Sequence, residues 1–405
     1  MSYLDQTLQP YLEYLPYLGL AFLISFLITP IVGYIAYKLQ VVDLPAQLRK
    51  PNDPSIKTRI KRKITPRAGG VAVIIPFIVI VLFVLGIDKQ IVAILLATTI
   101  LATIGVLDDR YELGSKIQLF GQIFAALLIV AAGISIDSVQ SPFDTSIDLR
   151  SLVLPFTLAN TTYSIALPAD IITIIWILIM MNAINWIFGT DGLGEGISII
   201  ALITILFISV KFQSPVPALL AVVAAGGILG FLPYNFPPAK IFSGTSATTF
   251  YGFLIAVLSI LGGVKVSSSV IVLIIPIIDM LWVMVGRINR SQMTNIFRVF
   301  SVTSHGDDTH LHHRLLKLGF SHTQVAIVEW IAVGICAVIA FSAGNLPKVT
   351  LISVVGVVVL TFFFLLSILL KRGIKLTTKR DKTSSSDDDD QGGSAPESPE
   401  KRYAY

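Results

Sequence analysis

The sequence is poor in charge and nearly devoid of cysteine. Only 14% of its 405 residues are charged, whereas soluble domains carry about 25%. With 54% hydrophobic residues, the chain could not cover itself with polar surface, and a cytosolic enzyme is excluded. A single cysteine, Cys336, excludes a disulfide scaffold and a cysteine-ligated metal site.

The sequence contains many long apolar runs. A membrane-spanning helix needs roughly 20 mostly apolar residues, and about eleven runs approach that length. They lie near residues 18–38, 71–87, 90–107, 118–136, 170–188, 192–210, 214–232, 247–263, 266–286, 324–343 and 349–370. We therefore predict an all-α integral membrane protein with about eleven transmembrane helices.

The ends of the chain differ from this apolar body. The N-terminus lacks a basic region and holds Asp5 and Glu13, so we expect no cleavable signal peptide. We predict an external N-terminal segment at 1–17, a polytopic membrane domain at 18–371 and a tail at 372–405. The tail is rich in Ser, Asp, Pro and Gly and is predicted to be disordered.

Positive charge is concentrated in the loops between certain apolar runs and in the C-terminal tail. An odd number of spans would place all of these segments on the same side of the membrane. These basic residues are Arg49, Lys50, Lys57, Arg59, Lys61, Arg62, Lys63, Arg67, Arg287, Arg290, Arg298, Arg314, Lys317, Lys371, Arg372, Lys375, Lys379 and Arg380. The segment 1–17 has no Lys or Arg. Because basic loops remain in the cytoplasm, we predict the N-terminus outside and the C-terminus inside.

Polar clusters at the cytoplasmic ends of the runs are the candidates for chemistry, since ionisable groups at membrane depth are costly and usually functional. Asp108 and Asp109 end the third run, and Lys116 follows. Adjacent carboxylates are unfavourable together unless a proton or a cation relieves them, as Mg²⁺ does while bridging phosphates. The alternative is a solvated charge pair with Arg110 as partner.

Two further segments combine amides with glycine or aromatic residues. Asn182 and Asn185 share a helix face and precede a glycine-rich stretch with Asp191, where backbone could approach a ligand closely. A helix C-cap and turn is the alternative. Asn235 and Phe242 belong to an aromatic, proline-rich segment suited to stacking on a planar ring. An interfacial aromatic belt is the alternative there.

Four of the five histidines fall within residues 305–313, next to Arg314: they are His305, His310, His312 and His313. Such clusters bind metal or anionic groups, or move protons. Without cysteines we favour phosphate over zinc, and a chance histidine-rich loop is the alternative. Asp279, inside the ninth run, is expected either to pair with an arginine such as Arg287 or to be functional.

Together these motifs resemble the polytopic polyprenyl-phosphate N-acetylhexosamine-1-phosphate transferases, a family that includes the peptidoglycan lipid I synthase. The resemblance extends from about Val42 to Phe320. The matching segments are Val42–Pro45, Thr65–Gly70, the Asp108-Asp109 block, Asn182 to Leu193, Tyr234–Phe242 and Asp307–His313. The His-Leu-His-His form is similar to the branch that initiates teichoic acid and O-antigen.

The resemblance implies a reaction and its participants. A UDP-N-acetylhexosamine, with N-acetylglucosamine expected, would give its sugar 1-phosphate to a polyprenyl (undecaprenyl) phosphate and release UMP. Mg²⁺, or Mn²⁺ as an alternative, would offset the diphosphate charge. The expected location is the cytoplasmic membrane of a bacterium, where the product would initiate an envelope polysaccharide. No nucleic-acid partner is expected, and a homodimer is an open alternative.

The resemblance also implies roles for individual residues. Asp108 and Asp109 would be catalytic and metal-binding, with Asn185 near the metal. Asp191, Asn235 and Phe242 would form the uracil pocket. His310, His312 and His313 would be catalytic in a phosphate-facing loop. Arg67, Lys116, Asn182 and Arg314 would also contact substrate, with lipid headgroups as the alternative partner of the basic residues.

Two positions depart from the family pattern. Phe188 stands where the family has an Asp before the glycine of the asparagine block, and Thr245 stands where the family's principal metal ligand is an Asp. A threonine hydroxyl is a neutral oxygen, whereas Mg²⁺ prefers a charged one. A catalytically impaired member that binds lipid phosphate or nucleotide-sugar, or that partners another envelope enzyme, is therefore an alternative. A transporter is a second one, although no inverted repeat is visible.

Overall fold

The computed structural model describes residues 9–43, 64–140, 146–158, 161–261, 266–291, 309–342 and 348–373. Several predicted features lie outside the described residues. These are the basic residues 49–63, Arg298, His305, Asp307 and the tail beyond residue 373.

Helices account for every apolar run predicted from the sequence. They are α1 Leu15–Lys38, α2 Gly69–Val84, α3 Lys89–Tyr111, α4 Ser115–Ala131, α5 Ala169–Trp186, α6 Leu193–Lys211, α7 Pro215–Asn235, α8 Gly244–Leu261, α9 Val266–Val272, α10 Ile274–Ser291, α11 Leu311–Lys317, α12 His322–Ser342 and α13 Lys348–Lys371. The short α11 lies in the histidine cluster. The ninth run contains two helices, α9 and α10, which are bent by 74° at Leu273.

The membrane fold is confirmed, and the number of spans stays a prediction. Among the described residues, eight helices are long and apolar enough to cross a membrane, or nine if the bent pair is one span. Helices α2 and α4 have only 16 and 17 residues. That length is close to the lower limit of about 17 residues for a spanning helix.

Three short antiparallel strand pairs interrupt the helices and were not predicted. Strand β1 (Val42–Asp43) pairs with β2 (Thr65–Pro66), β3 (Ser138–Gln140) with β4 (Ser146–Asp148), and β5 (Leu152–Leu158) with β6 (Thr161–Leu167). The hairpins β3–β4 and β5–β6 lie between the end of α4 and the start of α5. Because α5 runs from them towards Asn185, they occupy the end of the bundle opposite the polar clusters.

The start of α8 is held between two other helices by direct backbone contact. Gly70 of α2 and Gly105 of α3 each lie so close to the backbone of Ser246 and Ala247 that a Cβ atom at either glycine would collide with it. Residues 246–259 of α8 are buried throughout. The polar groups in the first turn of α8 are thus fixed relative to the ends of α2 and α3.

The position of the acidic pair follows from how α3 is bounded. The Asp88 carboxylate caps its first turn by accepting a hydrogen bond from the amide of Ile91 at 2.7 Å. The helix ends at Glu112, which adopts a left-handed conformation with φ of 49°. Asp108 and Asp109 therefore occupy the last turn of α3, next to the first turn of α8.

Candidate active site

A cavity of about 630 Å³ opens at the end of the bundle where the polar clusters meet. It is lined by Asp43, Arg67, Asn185, Phe188, Gly189, Thr190, Asp191, Asn235, Pro237, Pro238, Phe242, Ser243, Gly244, Thr245, Thr248, Ser321, His322 and Thr323. Segments far apart in the sequence are thus brought together. Five of the predicted substrate-binding or metal-binding residues are among them.

Asp108 and Asp109 are buried directly behind Thr245. The Thr245 hydroxyl donates to Asp108 Oδ2 at 2.7 Å, and Gln118 Nε2 donates to the other oxygen at 2.8 Å. The Thr245 amide lies 3.0 Å from both oxygens of Asp109. Donated hydrogen bonds to both carboxylates explain how two adjacent buried acids tolerate each other.

The positive charge that faces this pair comes from Arg67. Its guanidinium lies 3.3 Å from Asp109 Oδ1, and the side chain also lines the cavity. The N-terminal turn of α8 adds partial positive charge through its free amides. The solvated pairing of the acids with Arg110 is not what the structure shows, because both acids are buried and Arg67 is the cation in contact among the described residues.

Gly244 explains why the loop before α8 can pass so close to the acids. Its φ is +74°, a left-handed conformation that favours glycine. A Cβ atom there would collide with the Asp109 carboxylate and with the Arg67 carbonyl oxygen. Only glycine at this position lets the Thr245 amide reach Asp109.

The two asparagines of α5 have different surroundings. Asn185 lines the cavity, and its Oδ1 accepts a hydrogen bond from the Thr248 hydroxyl at 2.6 Å. Asn182 donates to Gln122 Oε1 at 3.1 Å and to the Leu178 carbonyl at 2.8 Å, and it does not line the cavity. Asn182 therefore joins α5 to α4, and its predicted contact with substrate stays a prediction.

Asp191, Asn235 and Phe242 all line the cavity, and their role as a uracil pocket stays a prediction. Asn235 is committed to the backbone, since its Oδ1 accepts from the Gly192 amide at 2.8 Å and its Nδ2 donates to the Ile241 carbonyl at 2.9 Å. Asp191 Oδ2 accepts from the Ala239 amide at 2.9 Å. Asn235 and Asp191 thus brace the loop that carries Phe242.

Phe188 lines the cavity above a buried polar group that sequence reasoning missed. Its ring packs near Tyr251, with centroids 5.9 Å apart, and against Gly194. Glu195 lies fully buried in the first turn of α6 and accepts a hydrogen bond from the cavity-lining Ser243 hydroxyl. An acid within the glycine-rich stretch was the signal that could have revealed it.

The histidines form a layer behind the cavity wall. The rings of His310 and His312 are parallel, with centroids 5.6 Å apart, and His313 lies 4.3 Å from His312. His312 lies directly beneath Gly189, where a Cβ atom would collide with its ring. Burial lowers the pKa of His312 well below its ordinary value, and the neighbouring histidines 313, 310 and 322 lower it further. The ring is therefore neutral at physiological pH.

Arg314 and Lys116 lie away from the cavity lining. The Arg314 guanidinium contacts the rings of Trp282 and Phe363, at 5.1 and 5.7 Å from their centroids, and donates to the Ser367 hydroxyl at 2.9 Å. It fastens α11 to α10 and α13. Lys116 is exposed on the first turn of α4. Their predicted roles in substrate binding stay predictions.

Several cavity residues were absent from the predicted site. Ser321, His322 and Thr323, at the start of α12, also line the cavity. Asp43 is held at the rim by the β1–β2 pair. His322 lies close to a recognised motif and Asp43 lies within one, but only the folded chain places both residues in the cavity.

Comparison with known proteins agrees with this arrangement. Residues 91–263 match the model of glycosyl transferase family 4. A protein of Bacillus subtilis, named a probable undecaprenyl-phosphate N-acetylglucosaminyl 1-phosphate transferase, is 35% identical over 323 residues, covering 77% of this chain and 80% of its own. A decaprenyl-phosphate N-acetylglucosaminephosphotransferase of Mycobacterium leprae is 29% identical over 379 residues, covering 84% and 86%.

A more distant relative has a different sugar in its name. The phospho-N-acetylmuramoyl-pentapeptide-transferase of Staphylococcus haemolyticus is 26% identical over 324 residues, covering 77% of this chain and 94% of its own. All three alignments extend over most of both chains. The chain therefore belongs to glycosyl transferase family 4, and it is a multi-pass membrane phosphoglycosyl transferase.

Proposed function

We propose that the protein transfers N-acetylglucosamine 1-phosphate from UDP-N-acetylglucosamine to a polyprenyl phosphate. An oxygen of the lipid phosphate would form a bond to the sugar-bearing phosphorus. The bond from that phosphorus to the bridging oxygen would break, and its electron pair would leave with UMP. The observation that supports this most is the buried Asp108–Asp109 pair, joined to Arg67 and Thr245 at the wall of one cavity.

The cavity offers separate places for the two ends of a nucleotide-sugar. Phe242 supplies a ring on which a uracil base could stack, and Asp191 lies on the same side. Asn235 holds this pocket in shape through the backbone of Gly192 and Ile241. The diphosphate would then lie towards Arg67 and the first turn of α8, where the donors and positive partial charge are concentrated.

The residues present fit a magnesium ion. Among the described residues no group of three or more His, Cys, Asp or Glu side chains could hold a metal by itself. Mg²⁺, however, usually binds through one or two carboxylates together with waters and substrate phosphates. Asp108 and Asp109 would hold it, with oxygens of Asn185 and Thr245 nearby, and the bound ion would offset the charge of the diphosphate.

The same arrangement supports the proposed acceptor and cellular location. Polyprenyl phosphates appear in the names of the relatives from Bacillus subtilis and Mycobacterium leprae. The cavity lies at the end of the apolar bundle, where a lipid phosphate at the membrane surface could reach Arg67. We place that end in the cytoplasm of a bacterium, at its inner membrane, where the product would initiate an envelope polysaccharide.

A transfer assay tests the proposal directly. The purified protein in detergent would receive a polyprenyl phosphate, radiolabelled UDP-N-acetylglucosamine and Mg²⁺, and labelled lipid would be measured. We expect labelled lipid from the wild type and none from Asp108→Asn or Asp109→Asn. Asp170→Asn is the matched control, because this buried acid accepts a backbone amide at the opposite end of the bundle and should leave activity intact.

The same assay distinguishes an impaired enzyme from an active one. No labelled lipid from the wild type, while a relative works under the same conditions, would contradict the proposal for this sugar. The double variant Phe188→Asp, Thr245→Asp then asks whether the missing acids silenced the site. Gain of transfer by this variant would support an impaired wild type that retains the pocket.

A further inference from the structure

Asp279 is a buried acid on α10 whose partners differ from the expected one. Its Oδ2 lies 2.8 Å from His310 Nδ1, and its Oδ1 accepts a hydrogen bond from the Leu311 amide at 2.8 Å. Arg287, the partner considered from the sequence, instead lies over the ring of Trp186, 5.1 Å from its centroid. Both carboxylate oxygens of Asp279 thus form polar contacts with residues at the start of α11.

With Asp279 ionised, its contact with His310 assigns the ring proton to one of the two nitrogens. An ionised carboxylate can only accept hydrogen bonds, so Nδ1 must be the donor. In the neutral ring, Nε2 is then the bare nitrogen that can accept a proton or a hydrogen bond. The second oxygen of Asp279 is occupied by the Leu311 amide, which keeps the carboxylate from rotating away.

The ring is also held from its other sides. It stacks in parallel on His312, and Trp186 approaches it at 81° with centroids 5.7 Å apart. Trp186 follows the cavity-lining Asn185, and His312 lies beneath the cavity-lining Gly189. Asp279 therefore sets the orientation of a histidine directly behind the cavity wall. Glu329 on α12 is the neighbouring acid that acts on Asp279 electrostatically.

We infer that Asp279 is a positioning residue for the transfer reaction, holding His310 with its proton on Nδ1 and with Nε2 bare. This inference rests on the proposed function for its kinetic consequence, although the state of the ring can be measured without activity. A group that fixes the tautomer and orientation of a histidine typically changes rates by about 10- to 100-fold when it is lost.

Asp279→Asn separates this role from simple support of the fold. The Asn side chain has nearly the same size, and its oxygen can still accept from the Leu311 amide. Its NH₂ group would face His310 Nδ1, which must then become an acceptor, so the proton moves to Nε2. The capping of α11 is retained while the tautomer is reversed.

The first measurement is ¹⁵N NMR of histidine-labelled protein in detergent at a pH where the ring is neutral. His310 is assigned by comparison with His310→Gln, and five histidines in the chain keep the spectrum simple. We expect a protonated Nδ1 in the wild type and in the control Asp170→Asn, and a protonated Nε2 in Asp279→Asn. A wild-type ring with its proton on Nε2 would overturn the inference whatever the variant does.

The second measurement separates kcat from KM in the transfer assay. For Asp279→Asn we expect kcat to fall by at least about tenfold, with KM for UDP-N-acetylglucosamine within about twofold of wild type because the donor pocket is untouched. Reversal of the tautomer with unchanged kcat would contradict the inference. If the wild type shows no transfer, the proposed function fails, and the NMR result alone decides the state of the ring.

Discussion

At the scale of single residues, the Thr245 hydroxyl links Asp108 to α8, where a third carboxylate would create strong repulsion. In Thr245→Asp we expect the melting temperature without divalent cations to fall, because a donor worth about 1–3 kcal/mol is replaced by a like charge. Millimolar Mg²⁺ should restore it, since three carboxylates bind the ion more tightly than two. Thermal unfolding in detergent with EDTA and with Mg²⁺ measures both effects.

Thr245→Val is the matched control for that experiment. It loses the same hydroxyl without adding charge, so Mg²⁺ should raise its melting temperature no more than that of the wild type. A Thr245→Asp protein whose melting temperature does not respond to Mg²⁺ would count against a cation site at the aspartate pair.

The buried His312 predicts a pH dependence of stability. The pKa of His312 is lowered in the folded protein. As pH falls below about 6.5, the unfolded chain therefore binds a proton at this histidine while the folded chain does not. Stability then declines with falling pH, and the contribution is constant above about pH 7. His312→Gln should flatten the decline in melting temperature between about pH 7 and 5. Parallel curves for the variant and the wild type would refute this assignment.

Some functional residues could be predicted from the sequence, and others could not. The acids at 108 and 109 and the amide at 185 were predicted because their types and spacing are unusual beside apolar runs. The partner of Asp279 was not, because His310 is 31 residues away and only the packing of the start of α11 against α10 brings them together. Asn182 and Arg314 share the residue types of a binding site, and their partners could be distinguished only by the packing of α4 and α13.

At the scale of elements, the contact between α3 and α8 depends on the absence of a side chain at Gly105. A Cβ atom in Gly105→Ala would collide with the Ser246 backbone, which cannot move aside as a flexible side chain would. We expect a loss of at least about 1–3 kcal/mol in unfolding free energy, the usual cost of overpacking. Thermal unfolding and the yield of monodisperse protein measure it.

Gly334→Ala is the matched control, because it also lies inside a helix and a Cβ atom there has nothing within 4 Å. It should be neutral or stabilising, since alanine is the better helix former by about 1 kcal/mol. Equal behaviour of the two variants would mean that α3 and α8 do not approach as closely as the structure places them.

The elements that could be predicted are those with one dominant physical signal. Each of the long helices is an apolar stretch that hydrophobicity alone indicated, whereas the seven-residue α11 in the histidine cluster gave no such signal. The β5–β6 hairpin lacks such a signal, because Pro155 within β5 argues against a strand in the sequence. In the fold, Pro155 lies opposite Ser164 in a two-stranded pair, where each strand has a free edge that tolerates proline.

At the scale of the whole molecule, the separation of the two ends allows the predicted orientation to be tested. Ser151 and Tyr111 are exposed at opposite ends of the bundle. In a Cys336→Ala background, a membrane-impermeant maleimide should label Ser151→Cys in intact cells and Tyr111→Cys only after permeabilisation. The reverse pattern would place the cavity outside the cytoplasm and contradict the predicted topology.

The small β1–β2 pair allows the connection between its two strands to vary in length. By pairing Val42 with Pro66 and Asp43 with Thr65, it makes the connection 44–64 begin and end at the same point on the cavity rim. Asp43 and Arg67 remain fixed there whatever the length between them, because a longer loop adds only slowly to the entropy of closure. A fluorescent reporter inserted in this connection would therefore stay tethered beside the cavity without altering the β1–β2 pair that precedes Arg67.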